Sequence, residues 1–203
     1  MVSAVMLLYV VYALFYTNLS SDSKAQTIAG ELEKAFDVAP GAENLVSPQI
    51  MELGAYALLY IPALGNDVMG TPILLGTSDE QLAAGVGQYL DSELPGEAGN
   101  LSLAGHRATN GEPFARFERL RPGDEVIVRT QEGWFVYTLV ADRKIGAEEI
   151  WVIDDNPGVP SLNSDRLLTL TTCHPRWNST QRWAWWGEFQ FFSQVSPMGV
   201  VSN

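Results

Sequence analysis

A single cysteine, Cys173, ends the aliphatic and β-branched run Leu167-Leu168-Thr169-Leu170-Thr171-Thr172 and opens the polar stretch His174 to Gln181. A thiol at a strand end can be held toward solvent by a rigid scaffold, where its thiolate attacks carbonyl carbon. Free cysteine is also among the most buried residue types, so the residue alone leaves an inert core thiol open. A nucleophile needs a proton partner, and the chain has two histidines, His106 and His174. Successive strand side chains point to opposite faces, which makes His174, adjacent to Cys173, the poorer partner. His106 closes the alternating segment Asn100 to His106, after Ala104-Gly105, and only the fold could bring it to Cys173. A structural or surface histidine is the other reading. Arg182 lies nine residues beyond Cys173, at the start of the next strand-like run. If His174 to Gln181 is a loop, the two strand ends lie side by side. The permanently charged guanidinium can then hold a carbonyl and its developing oxyanion; otherwise Arg182 is an ordinary solvated arginine.

Positioning three such groups is work for strands. Ala55 to Pro62 reads as a strand closed by its proline, and Asn100 to His106 as a strand ending at the histidine. Glu125 to Thr130 and Trp134 to Ala141 form a hairpin across Gln131-Glu132-Gly133. Arg166 to Thr172 and Arg182 to Phe192 flank Cys173. Between them, Leu74 to Leu82 passes through a turn with one short piece of helix. Gly85 to Asn100 reads as loop, Pro113 to Leu120 as a brief helix-like piece and Asp154 to Asp165 as a Pro/Gly/Asn-rich loop. Many short strands with little helix indicate a mainly β fold, a compact barrel or sandwich. The cluster Trp183, Trp185 and Trp186 faces both sides of the last strand, which requires cover on both or leaves an apolar strip.

The chain has 203 residues, 12 Lys and Arg against 24 Asp and Glu, and a formal net charge of −12. An acidic surface without a basic patch argues against nucleic acid as a partner. Val2 to Thr17 is uncharged and rich in Val, Leu, Tyr and Phe. Its sixteen residues reach roughly 24 Å as a helix, against about 30 Å of hydrocarbon. It lacks the basic start and small-residue cleavage site of a signal peptide. We read 1–17 as an uncleaved transmembrane anchor missing its first residues, with a buried core helix as the alternative. A stalk or linker follows over 18–51, with Ser20-Ser21-Asp22 as a helix N-cap and Ile28, Leu32 and Phe36 as one helical stripe. The catalytic domain is expected at 52–203. With the anchor, the domain lies outside the cytoplasm, where a lone thiol has no disulfide partner and is either buried or kept for reactivity.

Several strings, in order, resemble the active-site blocks of sortases. They are Leu94-Pro95-Gly96-Glu97 with Gly99-Asn100, then Ala104-Gly105-His106-Arg107, then Thr169-Leu170-Thr171-Thr172-Cys173 with Arg182. Ile61-Pro62-x-Leu64-Gly65-x-Asp67 and Gly85-x-Gly87-x-Tyr89 are similar to the class E sortases of actinobacteria. The resemblance covers about residues 53 to 192.

That resemblance implies a closed β-barrel of about eight strands with short helices, and a membrane-anchored cysteine transpeptidase with no cofactor or metal. Cys173 would attack the carbonyl after the threonine of an LAxTG- or LPxTG-like C-terminal sorting signal on a secreted protein. His106 would protonate the leaving amine and Arg182 steady the oxyanion. An amine of a peptidoglycan precursor would resolve the thioester. Tyr89 occupies the position implied to read alanine at the signal's second place, and Thr172 is expected to hydrogen-bond substrate. Gln88 departs from the histidine expected before Tyr89. A pilin-polymerising sortase would use a pilin lysine as the amine; no added lid sequence is evident, which favours wall anchoring. A non-catalytic cell-surface binding module would instead bury Cys173. Asp154, Asp155, Asn156 and Asp165 do not follow an EF-hand pattern, and the acidic loop reads as solvated.

Overall fold

Eight strands join edge to edge until the last meets the first. In chain order they are β1 (Ala55–Tyr60), β2 (Met69–Leu75), β3 (Val86–Gln88), β4 (Gly99–Ala104), β5 (Glu125–Arg129), β6 (Trp134–Gly146), β7 (Arg166–His174) and β8 (Gln181–Ser193). The computed structural model describes residues 17–38 and 46–198, and places the strands in a closed barrel ordered β1-β2-β3-β4-β7-β8-β6-β5. Pairing is antiparallel except between β2 and β3 and between β4 and β7, which run parallel. Each strand has a partner on both sides, which is how a small all-β domain limits edge-to-edge association.

Period-two alternation sorts the side chains into an inner and an outer set. Leu101 and Leu103 of β4, Leu168 and Leu170 of β7, and Trp183 and Trp185 of β8 fill the interior with Phe114 and Phe117. Trp186 points outward. It stacks on Trp151 at 5.8 Å and donates its indole N–H to the Val152 carbonyl at 2.9 Å. The tryptophan run is thus covered on both faces, outward by the segment around the short 3-10 helix Trp151–Ile153.

Three departures from the sequence reading have physical causes. β2 contains Gly70 and Pro72, residues that weaken a strand signal, and its inward and outward positions are both covered, so no clean alternation shows. β3 is three residues long, all buried, and exists by pairing with β2 and β4 rather than by its own propensity. Of the helix-like piece at 113–120, a single 3-10 turn forms, at Phe117–Arg119.

The helix α1 (Thr17–Phe36) runs straight through Ser20-Ser21-Asp22, which therefore does not cap it. Its stripe is buried all the same. Ile28 and Leu32, with Ile50 of α2 (Pro48–Glu52), cover Leu58, Tyr60 and Leu74 on the outer wall of β1 and β2. Arg129 pins the helix end, bonding Asp37 at 2.6 Å and lying over Trp134 at 4.9 Å. The segment expected to be a stalk is therefore, over α1, part of the folded body. Of the proposed anchor, residues 1–16 lie outside the described residues. Among the described residues no helix is long and apolar enough to cross a membrane.

Each apolar side chain buried in this way stabilises by about 1.5–3 kcal/mol. A chain beginning at Glu52 should consequently melt about 5 °C or more below one beginning at Thr17. Equal Tm values in matched thermal melts would show that α1 is not part of the folding unit.

Candidate active site

The site is a consequence of register. In the parallel β4–β7 ladder Ser102 pairs with Thr169 and Ala104 with Thr171. Past the end of β4 the pairing continues: Gly105 donates its N–H to the Thr171 carbonyl at 3.1 Å, and Thr172 Oγ1 donates to the Gly105 carbonyl at 2.7 Å. His106 follows Gly105 as Cys173 follows Thr172, on strands that neighbours hold about 4.8 Å apart. Ala104, Thr171 and Cys173 lie on the outer face, opposite Leu103 and Leu170 in the core. In the antiparallel β7–β8 ladder Cys173 pairs directly with Arg182. Cys173 and Arg182 therefore share one face of the outer wall, and His106 lies one residue past the last bond that ties the neighbouring segment to β7.

Local packing fixes each one. Gly105 is obligatory because a Cβ there would sit 2.6 Å from the Phe114 ring. The absence of a side chain lets that ring lie directly against Gly105, next to His106. Cys173 is a free thiol, part-buried. His106 is also part-buried, and its Nε2 has no hydrogen-bond partner. Burial lowers the His106 pKa, with Asp79 opposing, so the neutral ring is favoured near pH 7. Arg182 donates from Nη1 to the carbonyls of Ser179 and Gln181 at 3.2 and 3.1 Å. Those bonds tie it to the loop between β7 and β8 while using only part of a five-donor guanidinium.

Tyr89 lies on the same outer face and shares a hydrogen bond with Thr171 Oγ1 at 3.1 Å, two residues before Cys173. It borders a cavity of about 560 Å³ lined also by Leu90, Ile150, Ile153 and Asp154. Gln88 points inward instead. It accepts from Tyr56 and donates from Nε2 to the carbonyls of Ser92 and Glu93 at 3.1 and 3.0 Å. The residue that replaces the expected histidine therefore shapes the turn that carries Tyr89 without facing the cavity. Thr172 is 3% exposed and faces inward, its hydroxyl engaged by Gly105. The threonine that shares the thiol's face is Thr171, which alternation counted from Cys173 would have found. His174 is turned to the opposite face, its ring edge-on to Trp183 at 5.3 Å. Among the described residues no group of three or more His, Cys, Asp or Glu side chains converges as a metal site would.

A closed eight-strand barrel with a free thiol and a guanidinium paired across adjacent strand ends, and a histidine just past the end of the next strand, defines the class of protein. Residues 59–190 match the sortase domain, and the chain belongs to the sortase family. It is 37% identical over 193 residues to Sortase SrtE1 of Streptomyces coelicolor, covering 90% of this chain and 53% of that protein. It is 32% identical to Sortase SrtE2 of the same organism, covering 91% of this chain and 76% of that protein. The chain thus spans about half the length of SrtE1. Sortase E from Streptomyces avermitilis superposes with a TM-score of 0.62 at 37% identity, covering 70% of this chain and 91% of that structure. Sortase E1 from Streptomyces coelicolor, solved with a tripeptide in the active site, gives 0.66 at 34% identity, covering 72% and 96%. The class E relationship read from the motifs holds.

Unfolding returns His106 to the ordinary imidazole pKa of about 6.5, so the folded state binds fewer protons, and its stability falls as pH drops below that value. An NMR titration of Cys173→Ala should place the His106 C2–H midpoint below 6.5. A midpoint above it would contradict the burial assigned to the ring.

Proposed function

We propose that this chain is a cysteine transpeptidase that cleaves a C-terminal LAxTG- or LPxTG-like sorting signal after its threonine and joins the secreted protein to an amine of a peptidoglycan precursor. Tethering to the membrane, with the barrel outside the cytoplasm, belongs to the same reading. The observation that carries it is the shared outward face of Cys173, Arg182 and the continued β4 ladder leading to His106.

The neutral His106 ring takes the thiol proton as Cys173 sulfur attacks the threonine carbonyl carbon. Charge moves to the carbonyl oxygen, where Arg182 stabilises it. The C–N bond breaks, His106 gives its proton to the departing amine, and a thioester remains on Cys173. The acceptor amine then attacks that thioester, His106 removes its proton, and the thiol is restored as the new amide forms. Tyr89, held by Thr171 at the edge of the cavity, contacts the second residue of the signal. Thr172 acts through its bond to Gly105, fixing the strand end rather than touching the signal, and Thr171 takes the groove-facing position.

Incubating the protein with LAxTG and LPxTG peptides and an amine should give a thioester by mass spectrometry and a ligated product. Cys173→Ala should lose both while keeping its melting temperature, and unchanged ligation would exclude the mechanism. Arg182→Ala should lower kcat by about 10²–10³ with a smaller change in KM, as removal of an oxyanion donor does. Tyr89→Phe should lower kcat/KM for the LAxTG peptide by about two- to tenfold, the loss of one hydrogen bond's effect on a polar contact. No change in the LAxTG to LPxTG ratio would remove Tyr89 from recognition.

A further inference from the structure

The residue after His106 and the residue after Cys173 meet on the opposite side of the barrel wall. Arg107 Nη1 lies 2.9 Å from His174 Nδ1. Arginine only donates, so that nitrogen is the acceptor and the imidazole is neutral with its proton on Nε2. Desolvation, Lys144 and Arg107 itself all lower the His174 pKa, in keeping with a neutral ring. Arg107 Nη2 donates to Glu118 Oε2 at 3.0 Å, on the 3-10 turn beneath the core. The guanidinium also lies over the Trp183 indole at 5.0 Å, and Lys144 lies 4.6 Å from the same ring. Trp183 in turn donates its N–H to Asp142 at 2.7 Å.

This is an expensive arrangement. The Arg107 side chain is 7% exposed, its one carboxylate partner is 55% exposed, and its Nε has no hydrogen-bond partner. Burying such a cation costs several kcal/mol before its contacts offset it, and an apolar side chain of similar size would pack here at less cost. Stability alone does not account for it.

We propose that Arg107 is a positioning residue for the transfer reaction: by bridging His174 and Glu118 at the end of the barrel, it holds the strand ends that carry His106 and Cys173 at their working separation. The proposal rests on the reading of those two residues as the reacting pair. The inner pair Arg107–His174 and the outer pair His106–Cys173 are each one residue apart along the same two chain segments. A slip of the β4 end against β7 therefore changes both separations together. The backbone pairing of the two segments ends at Gly105, and a misplacement of about 1 Å can cost about a hundredfold in rate. The cavity beside Tyr89 lies on the outer face and does not depend on the bridge.

The test compares Arg107→Met, His174→Phe and the double variant, well below their melting temperatures. Two readouts are taken: thioester formation with the LAxTG peptide, and the rate of Cys173 alkylation by iodoacetamide. The bridge predicts that each single variant lowers kcat about tenfold or more with KM within about threefold, and that the double variant is no worse than either single one. Arg107→Lys should recover little, since an ammonium cannot span two partners as a guanidinium does. Alkylation rates should change in step with kcat. If the unaltered protein forms no thioester with any signal, the proposed transfer reaction fails, while alkylation still reads the bridge. Wild-type kcat and alkylation in either single variant, or simple additivity in the double, would overturn the positioning role. Should Arg107→Met not fold, His174→Phe, which keeps the Arg107–Glu118 pair and an aromatic ring against Trp183, decides alone.

Discussion

One parallel strand pair sets the chemistry of this protein. β4 and β7 are far apart in sequence, and nothing local draws His106 to Cys173. The ladder holds the segments that carry them side by side, from Gly99 opposite Arg166 to Ala104 opposite Thr171, and is extended past the end of β4 by Gly105 and Thr172. Because side chains alternate with period two, a slip of one residue would turn either His106 or Cys173 toward the core. The register is defended along its length. Leu101, Leu103, Leu168 and Leu170 bury inward, while Asn100, fully buried on the outer face, accepts from Thr169 Oγ1 at 2.8 Å and donates to the Asp154 carbonyl at 2.9 Å. Breaking that amide's bonds would leave buried polar groups unpaired, a penalty of about 1–3 kcal/mol each.

The other strands are arranged around that pair. β8 adds Arg182 directly opposite Cys173, and β3, short as it is, sets Tyr89 beside Thr171. The interior is aromatic and aliphatic, and the outer wall away from the site is covered by α1 and α2 on one side and by the Trp151 segment on another. A barrel wall is well suited to such a site because its backbone is held by neighbours on both sides, which keeps side-chain positions fixed.

Much of this was legible in the residues. Cys173, His106 and Arg182 stand out in the sequence by chemical type and by their places at the ends of strand-like runs, and the pairing of Cys173 with Arg182 follows from the β7–β8 register. The strands around Leu101 to Leu103, Val126 to Val128 and Leu168 to Leu170 were readable because apolar side chains recur at every second position and fill the interior. β2 and β3 were not, because Gly70, Pro72 and Gly87 weaken their local preference and their existence depends on partners. The docking of α1 was half legible: the stripe of Ile28 and Leu32 announced an apolar face but not what would cover it. Thr171 and the Arg107–His174 bridge were within reach of the sequence, since counting by twos from Cys173 and from His106 assigns each to its face. The contact between them, however, needs the parallel pairing that no local pattern encodes.

The register of β4 against β7 is therefore the most direct quantity to measure. In a Cys173→Ala background, cysteines placed at Ala104 and Thr171 should close an intramolecular disulfide on mild oxidation, seen as a loss of about 2 Da by intact mass, since their Cα atoms are register partners on one face. The pair Ala104→Cys with Thr172→Cys, whose side chains point to opposite faces, should not close. Closure of the second pair in place of the first would contradict the geometry on which the whole account is built.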